Sequence, residues 1–292
     1  MIAMDLEVIR DMSDNGKTMK LSRLCGALGA EVRDVDLARL DEAASAAIRD
    51  AFHEHLVLVF PDQDLAAGAQ VAFTELFGPV EPHPLRTRRT VDGHPAVLII
   101  ENRKGRPGAR NDYWHSDISH AERPPAVSVL HALKVTDGRG DTMFCNMYRA
   151  FDALSDGLRE TLRGRRALHS GMATYTRSLE HNDARTIDPG EVKPPRAHPV
   201  VRTHPVTGRP ALFVNPHFTI GFEDMTEDES RPLLDTLHAV ATRPENVYRH
   251  RWRAGDVVMW DNRCTMHYAV MDYTEDMVRL LHRTTAAGDA PR

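Results

Sequence analysis

Two residues separated by a single position, His115 and Asp117, have the side chains with the clearest capacity for chemistry in this chain. On an extended strand, residues two apart point to the same face, so this imidazole and this carboxylate can reach one metal ion. A third ligand then has to come from another strand, and His267 lies far along the chain. Two histidines and one carboxylate form the facial triad that holds Fe(II) and leaves the opposite face of the ion open.

Two arginines that follow the third ligand, Arg279 and Arg283, make the metal-site interpretation more specific. A guanidinium is a planar, permanently charged fork that can bind a carboxylate through two hydrogen bonds. A dicarboxylate cosubstrate needs such a group near the open face of the metal. The combined pattern therefore predicts an iron oxygenase that consumes a 2-oxo acid.

The same residues are also compatible with three alternatives. The chain has 16 histidines, so a single His-x-Asp pair could arise by chance, and either arginine could form a surface or structural ion pair. Two histidines and one aspartate could also hold zinc in a mononuclear hydrolase. A ligand-binding protein without catalytic activity is the third alternative, because a fold does not determine a function.

Length allows one or two domains, and barrels of this size often form one; the chain has no internal repeat, low-complexity tract or linker, so we expect one catalytic domain over residues 1–292. The net charge of −5 predicts no basic face and hence no nucleic-acid partner. No stretch is apolar enough to span a membrane, and the polar start of the chain does not resemble a signal peptide. Three scattered cysteines, Cys25, Cys145 and Cys264, are typical of free thiols in the cytoplasm.

Hydrophobic spacing and turn residues predict strands alternating with a few helices. The predicted helices cover 41–55, with Asp41 as N-cap, and 66–77, 148–162 and 227–241. The predicted strands cover 56–60, 97–100, 127–135, 143–147, 200–203, 211–214, 256–260 and 278–285. Residues 1–18 form an irregular lead-in. Residues 174–196 are polar and contain prolines and glycine, so we expect an insertion there that could act as a lid.

Seven ordered runs resemble motifs of the taurine dioxygenase / 2,4-dichlorophenoxyacetate dioxygenase (TauD/TfdA) family. They are WHSD at 114–117, GDT at 140–142, HPVVRTHP at 198–205, FVN at 213–215, GDVVMWDNR at 255–263, HYAVMDY at 267–273 and RLLHRTT at 279–285. The resemblance covers roughly residues 20–290. It implies a mainly β fold with flanking helices around a double-stranded β-helix, the jelly-roll or cupin-like core.

The resemblance also implies a ligand set and a cosubstrate. His115, Asp117 and His267 would bind Fe(II), and 2-oxoglutarate and O2 would occupy the open face of the metal. Arg279 would pair with the distal carboxylate of 2-oxoglutarate, and the hydroxyl of Thr142 would hydrogen-bond to the same group. The family further implies a homo-oligomer, either a dimer or a tetramer.

Five positions match substrate contacts in the taurine branch of the family. His83, Asn111 and Arg283 would form a polar end that binds an acid group, and Ile118 and Phe218 would form an apolar wall. The taurine enzyme has a tyrosine three residues after its substrate histidine, whereas this chain has an arginine, which argues against taurine itself. The expected substrate is a small anionic molecule such as a sulfonate, an aryloxyalkanoate, a sulfate ester or an amino-acid-like compound.

The implied reaction is the hydroxylation of an unactivated C–H bond, with succinate and CO2 as co-products. A hydroxylated carbon that carries sulfonate, ether oxygen or amine would collapse, and its C–S, C–O or C–N bond would break. Halogenation is not expected, because Asp117 occupies the coordination position that a halide would need.

Overall fold

The computed structural model describes residues 19–82, 89–104, 110–180 and 192–292. In these ranges the strands are β1 (Lys20–Arg23), β2 (Ala30–Arg33), β3 (Val57–Phe60), β4 (Thr90–Val91), β5 (His94–Asn102), β6 (Val127–Lys134), β7 (Thr142–Asn146), β8 (Arg166–His169), β9 (Arg196–Pro199), β10 (Val201–Thr203), β11 (Pro210–Leu212), β12 (Thr219–Phe222), β13 (Val247–His250), β14 (Val257–Asp261), β15 (Thr265–Ala269) and β16 (Arg279–Ala286). The helices are α1 (Glu42–His55), α2 (Ala67–Glu75), α3 (Met147–Asp152), α4 (Asp156–Leu162), α5 (Met172–Glu180) and α6 (Glu227–Ala241).

The largest sheet contains eight strands in the order β1-β2-β3-β14-β6-β16-β5-β4. A three-stranded sheet, β13-β7-β15, carries the remaining strands around the candidate site. Neighbours such as β3, β14 and β6 are far apart in sequence and pair antiparallel. This interleaving of distant strands is the jelly-roll arrangement that the family resemblance implies, and it brings residues from both ends of the chain into one site.

Strand β3 shows how the large sheet is buried on both of its faces. Val57 and Val59 belong to the core cluster that also contains residues of β7 and β15. Leu58 and Phe60 belong to a second cluster, together with Phe52 of α1. Because side chains alternate across a strand, two covered faces require a continuous apolar run instead of an alternating one. The predicted buried strand at 56–60 is therefore confirmed.

Capping residues determine where the two longest helices, α1 and α6, begin. The Asp41 side chain accepts a hydrogen bond from the backbone N of Ala44 at 2.7 Å, as predicted for the start of α1. Thr226 and Glu229 form a capping box at the start of α6, which matches its predicted bounds. In the part of the chain that the structure describes, no helix has both the length and the apolar character to cross a membrane.

The single helix predicted at 148–162 is wrong, because the chain forms α3 and α4 with a break between them. Asn146 caps α3 by accepting hydrogen bonds from the next turn. Ser155 then takes an extended conformation, and its hydroxyl accepts a hydrogen bond from the N of Leu158. The apolar spacing continues through the break, so periodicity alone could not reveal a new N-cap at Ser155.

The expected insertion at 174–196 differs from the structure at both ends. Helix α5 begins before it and runs to Glu180, and β9 begins at its last residue. Residues 181–191 lie outside the described part of the chain, as does the lead-in at 1–18. A lid role for this segment stays a prediction. The strands predicted at 200–203 and 211–214 form a hairpin, because β10 pairs antiparallel with β11.

Candidate metal and cosubstrate site

The two histidines of the predicted triad meet through the backbone. His115 and His267 form an isolated antiparallel bridge with N-to-O distances of 3.0 and 2.8 Å. The Nε2 atom of His115 lies 3.9 Å from Oδ1 of Asp117, and Nε2 of His267 lies 3.8 Å from the same oxygen. All three side chains are buried, and their ligand atoms lie within 4.8 Å of one another. Two imidazoles and one carboxylate therefore converge on one point.

The local backbone differs from the extended strand that the spacing suggested. Only His115 pairs with another strand, and Asp117 already begins a turn. The next residue, Ile118, has φ of 46°, in the left-handed region, and its carbonyl accepts a hydrogen bond from Ala121 N. This turn places the carboxylate beside both imidazoles, which a continuing strand would have carried further away.

The protonation states of the triad suit metal binding. Burial lowers the pKa of His115, and it lowers the pKa of His267 well below the usual value, so both imidazoles are neutral. Burial alone would raise the pKa of Asp117, but Arg283, the two imidazoles and Ser128 outweigh it and hold that pKa below its usual range. Neutral imidazoles and an ionised carboxylate are the forms that coordinate a cation.

A hydrogen-bond network orients Asp117. Its Oδ2 accepts a hydrogen bond from Ser128 Oγ at 2.7 Å and forms an ion pair with Nη2 of Arg283 at 2.6 Å. Asn262 accepts a hydrogen bond from the Asp117 backbone N and donates one to Ser128 Oγ. Trp260 Nε1 donates to the same Asn262 oxygen. Because Ser128 and Arg283 bind Oδ2, Oδ1 is the carboxylate oxygen that faces the metal position.

His115 is oriented in a comparable way. Its Nδ1 lies 2.9 Å from the backbone carbonyl of Tyr113, so Nδ1 carries the proton and Nε2 keeps a lone pair facing Asp117. The Nδ1 atom of His267 is buried and has no hydrogen-bond partner among the described residues. The two imidazoles are therefore held differently, one by a carbonyl and the other by packing between rings, including that of Trp260.

Removing the hydroxyl of Ser128 is expected to weaken metal binding without removing a ligand. In Ser128→Ala, Oδ2 of Asp117 loses one of its two side-chain donors, and we expect metal affinity to fall about 10- to 100-fold. Titration of the protein with Mn(II) or Fe(II) under argon measures this. Ser116→Ala is the matched control, because its buried hydroxyl instead donates to the carbonyl of Thr265 at 2.7 Å. Equal affinity in the two variants would contradict the network.

The predicted cosubstrate residues lie in the same cavity as the imidazoles. Its lining includes Thr142, Arg279, Arg283, His115 and His267. No acidic side chain pairs with Arg279 among the described residues, and its Nε is buried without a partner. Burial lowers the pKa of this guanidinium. Arg279 is half-buried, and a cation that is partly removed from water without a counterion is costly unless a ligand supplies the charge, so the cavity suits an anion.

Aromatic rings frame Arg279 and orient Thr142. The guanidinium carbon of Arg279 lies 6.0 Å from the ring centre of Trp252 and 5.9 Å from that of Tyr273. Trp252 also donates its indole N–H to Thr142 Oγ1 at 3.0 Å. Since an indole nitrogen can only donate, the hydroxyl proton of Thr142 remains free to point at an acceptor in the cavity.

Replacing Trp252 by phenylalanine is expected to weaken cosubstrate binding by roughly 5- to 10-fold, the value of one hydrogen bond. The aromatic ring beside Arg279 is retained, but the Thr142 hydroxyl loses the donor that fixes its orientation. Calorimetric titration of the metal-loaded protein with 2-oxoglutarate checks this. Trp114→Phe removes an indole that contacts Tyr268 instead and should leave the affinity unchanged. An unchanged affinity in Trp252→Phe would show that Thr142 does not depend on this bond.

The predicted substrate residues are brought together only in part. Asn111 lines the cavity, and the Tyr113 hydroxyl donates to its Oδ1 at 3.1 Å. Phe218 is buried, with its ring centre 6.4 Å from that of His115. Ile118 is partly buried and follows Asp117 in the turn. His83 lies outside the described residues.

Sequence motifs missed one side chain beside the triad, His217. Its ring stacks on that of Tyr113 with centroids 3.7 Å apart, and its Nε2 lies 2.9 Å from the hydroxyl oxygen of Thr174 on α5. His217 precedes the predicted wall residue Phe218 in sequence. No spacing rule indicates its position, because both contacts depend on tertiary structure.

A second cluster, His53, His204 and Asp261, also brings potential ligands together, but His204 and Asp261 already use their lone pairs in hydrogen bonds. Nδ1 of His204 accepts hydrogen bonds from the backbone N of the second and third residues after it. Its Nε2 therefore carries the proton and donates to Asp261 Oδ2 at 3.0 Å. Both oxygens of Asp261 also accept hydrogen bonds from the guanidinium of Arg263. This cluster is a buried ion-pair network.

Comparisons with known proteins identify relatives that match most of the chain. The chain is 34% identical over 278 residues to the alkylsulfatase of Acinetobacter baylyi, covering 93% of this chain and 86% of that protein. It is 36% identical over 280 residues to the alpha-ketoglutarate-dependent sulfate ester dioxygenase of Pseudomonas putida, covering 92% and 89%. It is also 36% identical over 276 residues to the alpha-ketoglutarate-dependent 2,4-dichlorophenoxyacetate dioxygenase of Cupriavidus pinatubonensis, covering 89% and 95%.

A solved structure extends the similarity to the fold. AAD-2 in complex with Mn(II) and N-oxalylglycine superposes with a TM-score of 0.77 at 32% identity, covering 94% of this chain and 99% of that one. The sequence pattern described as taurine catabolism dioxygenase TauD, TfdA family matches residues 20–285, most of the chain. The protein therefore belongs to the TauD, TfdA family and is a 2-oxoglutarate-dependent dioxygenase with a cupin-like jelly-roll fold.

Proposed function

We propose that this enzyme oxidises a C–H bond in a small organic anion, and that the anion is a sulfate ester. The observation that carries the proposal is one cavity lined both by the imidazoles of a complete triad and by Arg279, a half-buried arginine whose Nε has no partner among the described residues. Two relatives, the alkylsulfatase and the sulfate ester dioxygenase, support the substrate class. The 2,4-dichlorophenoxyacetate dioxygenase makes aryloxyalkanoates the second candidate class.

His115, Asp117 and His267 are the proposed Fe(II) ligands. The donor set fits a ferrous ion, because two neutral nitrogens and one carboxylate oxygen converge from one side. Iron held there, with 2-oxoglutarate and O2, supplies the oxidising power for an unactivated C–H bond. The protein contributes the position of the reacting carbon and a site from which water is excluded.

Arg279 and Thr142 are the proposed anchors for the distal carboxylate of 2-oxoglutarate. The guanidinium has no acidic partner among the described residues, so its two-pronged donor face is available to a carboxylate. Thr142 adds a second donor, since its hydroxyl accepts a hydrogen bond from Trp252 and keeps its own proton. N-oxalylglycine differs from 2-oxoglutarate only by an NH in place of one methylene, so the complex of AAD-2 supports a cosubstrate of this shape.

Arg283 and Asn111 are the proposed contacts for the anionic end of the substrate. Nη2 of Arg283 is engaged by Asp117 and Ser128, whereas its Nε is buried without a partner among the described residues. Arg283 can therefore hold Asp117 and still offer donors to an anion. The accompanying roles of His83 at the polar end, and of Ile118 and Phe218 as the apolar wall, stay predictions.

The proposed reaction on a sulfate ester balances without a further reactant. One atom of O2 enters the substrate at the carbon bearing the ester oxygen, and the other enters 2-oxoglutarate, which becomes succinate and CO2. The hydroxylated carbon then expels hydrogen sulfate as its C–O bond breaks, leaving an aldehyde. Dimer or tetramer formation, a cytoplasmic location, one catalytic domain and the absence of nucleic-acid or membrane partners stay predictions.

The test begins with the anaerobic absorbance of the Fe(II)-loaded protein. Addition of 2-oxoglutarate should produce a weak visible charge-transfer band, and addition of the right substrate should shift it. Hexyl sulfate, hexanesulfonate, phenoxyacetate and an amino acid form the panel, and aerobic release of sulfate with stoichiometric succinate identifies an ester substrate. Iron that binds without producing a band would count against the proposal. Sulfate release without O2 would favour a zinc hydrolase.

A further inference from the structure

The segment 270–277, between β15 and β16, contributes Tyr273 to the lining of the cavity that contains Arg279. Its first residue, Val270, donates its backbone N–H to the carbonyl of Asp141 at 2.8 Å. Two residues on, Asp272 accepts the backbone N–H of Gly140 on its Oδ1 at 2.7 Å. These bonds fasten the segment to the turn that leads into Thr142.

Asn102 fastens the other half of the same segment. Its side-chain nitrogen donates to the carbonyl of Thr274 at 3.0 Å and to that of Met277 at 2.7 Å. Tyr273 lies between the two sets of bonds, so its backbone is restrained on both sides. The side chain of Tyr273 lines the cavity together with Arg279.

Gly140 shows how tightly this end of the cavity is packed. A Cβ atom added at Gly140 would lie 3.1 Å from Nε of Arg279 and 3.2 Å from two ring carbons of Tyr273. Gly140 also has φ of 69°, which favours glycine. The guanidinium therefore has the Tyr273 ring and a bare glycine directly beside it, and any side chain at position 140 would occupy that space.

The phenol of Tyr273 does not act as a counterion for Arg279. Burial raises the pKa of Tyr273, so the hydroxyl is protonated at neutral pH. What the residue offers is an aromatic face near a cation, with the ring centre 5.9 Å from the guanidinium carbon. The volume and position of the ring are thus the relevant properties.

We propose that Tyr273 is a specificity-determining residue for the cosubstrate, because its ring fixes Arg279 at the distance that a five-carbon 2-oxo dicarboxylate spans. The proposal rests on the role of Arg279 given above. A cosubstrate chelated at its 2-oxo end and paired with Arg279 at its other end is fixed at both ends. One extra methylene, as in 2-oxoadipate, must then buckle or displace a guanidinium whose carbon lies 5.9 Å from the ring centre of Tyr273 and 6.0 Å from that of Trp252.

Direct binding measurements on three variants test this without turnover. The Mn(II)-loaded protein is titrated under argon with 2-oxoglutarate and with 2-oxoadipate. The natural enzyme should prefer 2-oxoglutarate by about 10- to 200-fold, the range for one methylene in a fitted pocket. In Tyr273→Ala and Tyr273→Leu that ratio should shrink at least about fivefold, mainly through tighter 2-oxoadipate binding. Tyr273→Phe keeps the ring and should keep the ratio.

The outcomes separate this proposal from the wider one. If the natural protein binds 2-oxoglutarate and neither the Ala nor the Leu variant changes the ratio, the role of Tyr273 is overturned while the oxygenase proposal stands. The role is equally overturned if Tyr273→Phe loses discrimination as fully as Tyr273→Ala, because the hydroxyl would then be responsible. If the metal-loaded natural protein binds neither acid, the cosubstrate assignment itself fails. Thermal melting verifies that the variants fold. If one of the Ala and Leu variants folds poorly, the binding ratio of the better-folded variant decides whether Tyr273 has the proposed role.

Discussion

Replacing Asp117 by alanine is expected to lower Fe(II)-dependent kcat/KM by about a thousandfold or more, which is the size of the rate loss when an enzyme loses a central catalytic group. The variant loses the only carboxylate of the triad. Two imidazoles alone leave the ion without a charged ligand, so the protein should also fail to retain one Fe(II) per chain. Metal content after gel filtration and the charge-transfer band with 2-oxoglutarate measure this loss separately from turnover.

The same substitution has a structural cost. Arg283 pairs with Asp117 at 2.6 Å, and its side chain is only 13% exposed. Without the carboxylate, this guanidinium keeps only neutral partners such as Ser128, and the free energy of unfolding of the metal-free protein should fall by on the order of 3 kcal/mol. Asp117→Asn keeps acceptors for Arg283 and Ser128, so it should bind metal poorly while melting closer to the natural protein.

A histidine outside the triad provides the control. His53 lies beside His204 in the second cluster, and His53→Ala should retain one Fe(II) per chain and its charge-transfer band. A protein carrying Asp117→Ala that still bound iron as tightly as the natural chain would show that this carboxylate is not a ligand.

The parts of the fold that could be predicted are those with a local physical cause. Strand β3 is a run of apolar residues because both faces of its sheet are covered. Helix α6 begins where Thr226 and Glu229 can cap each other. The break between α3 and α4 is equally local, but its signal is one serine inside an unbroken apolar pattern, and periodicity outweighs a single cap.

The candidate site likewise has features that could be predicted from the sequence and features that could not. The types and order of His115, Asp117 and His267 were sufficient to predict a convergent triad. The turn that delivers Asp117 was not predictable from spacing, because it depends on a left-handed residue, Ile118, that carries no glycine signal. Residues that act only through tertiary contacts could not be predicted either, because their partners lie far away in the sequence.

Trp252 is an example of a residue that acts through a tertiary contact. Its partner Thr142 is 110 positions away in sequence, and the hydrogen bond exists only because β13 pairs with β7 and the chain beyond β13 returns to the same end of the sheet. Arg283 lines the cavity, and its expected role of facing a substrate anion stays a prediction. Its ion pair with Asp117 gives Arg283 a second role, in orienting that carboxylate, which is apparent only in the folded structure.

Replacing Arg279 by methionine is expected to raise the 2-oxoglutarate concentration needed for half-maximal rate by about 100- to 1,000-fold, because the charge-assisted fork is lost. The ligand-free protein should not become less stable. In the absence of cosubstrate this cation is half-buried without an acidic partner among the described residues, and methionine keeps the apolar stem without the charge. Thermal melting should therefore show an unchanged or higher Tm without ligand, and little of the stabilisation that 2-oxoglutarate gives the natural enzyme.

Arg202 offers a matched comparison, because it is fully buried but paired with Asp289 at 2.7 Å. Arg202→Met should lower Tm and leave the 2-oxoglutarate requirement unchanged, the reverse of the result for Arg279→Met. The contrast follows from where the counterion resides: Arg202 has its carboxylate in the protein, whereas Arg279 is proposed to receive it from the cosubstrate. If Arg279→Met instead destabilised the ligand-free protein and left the cosubstrate requirement unaltered, Arg279 would be a structural residue and the proposed anchor for 2-oxoglutarate would be wrong.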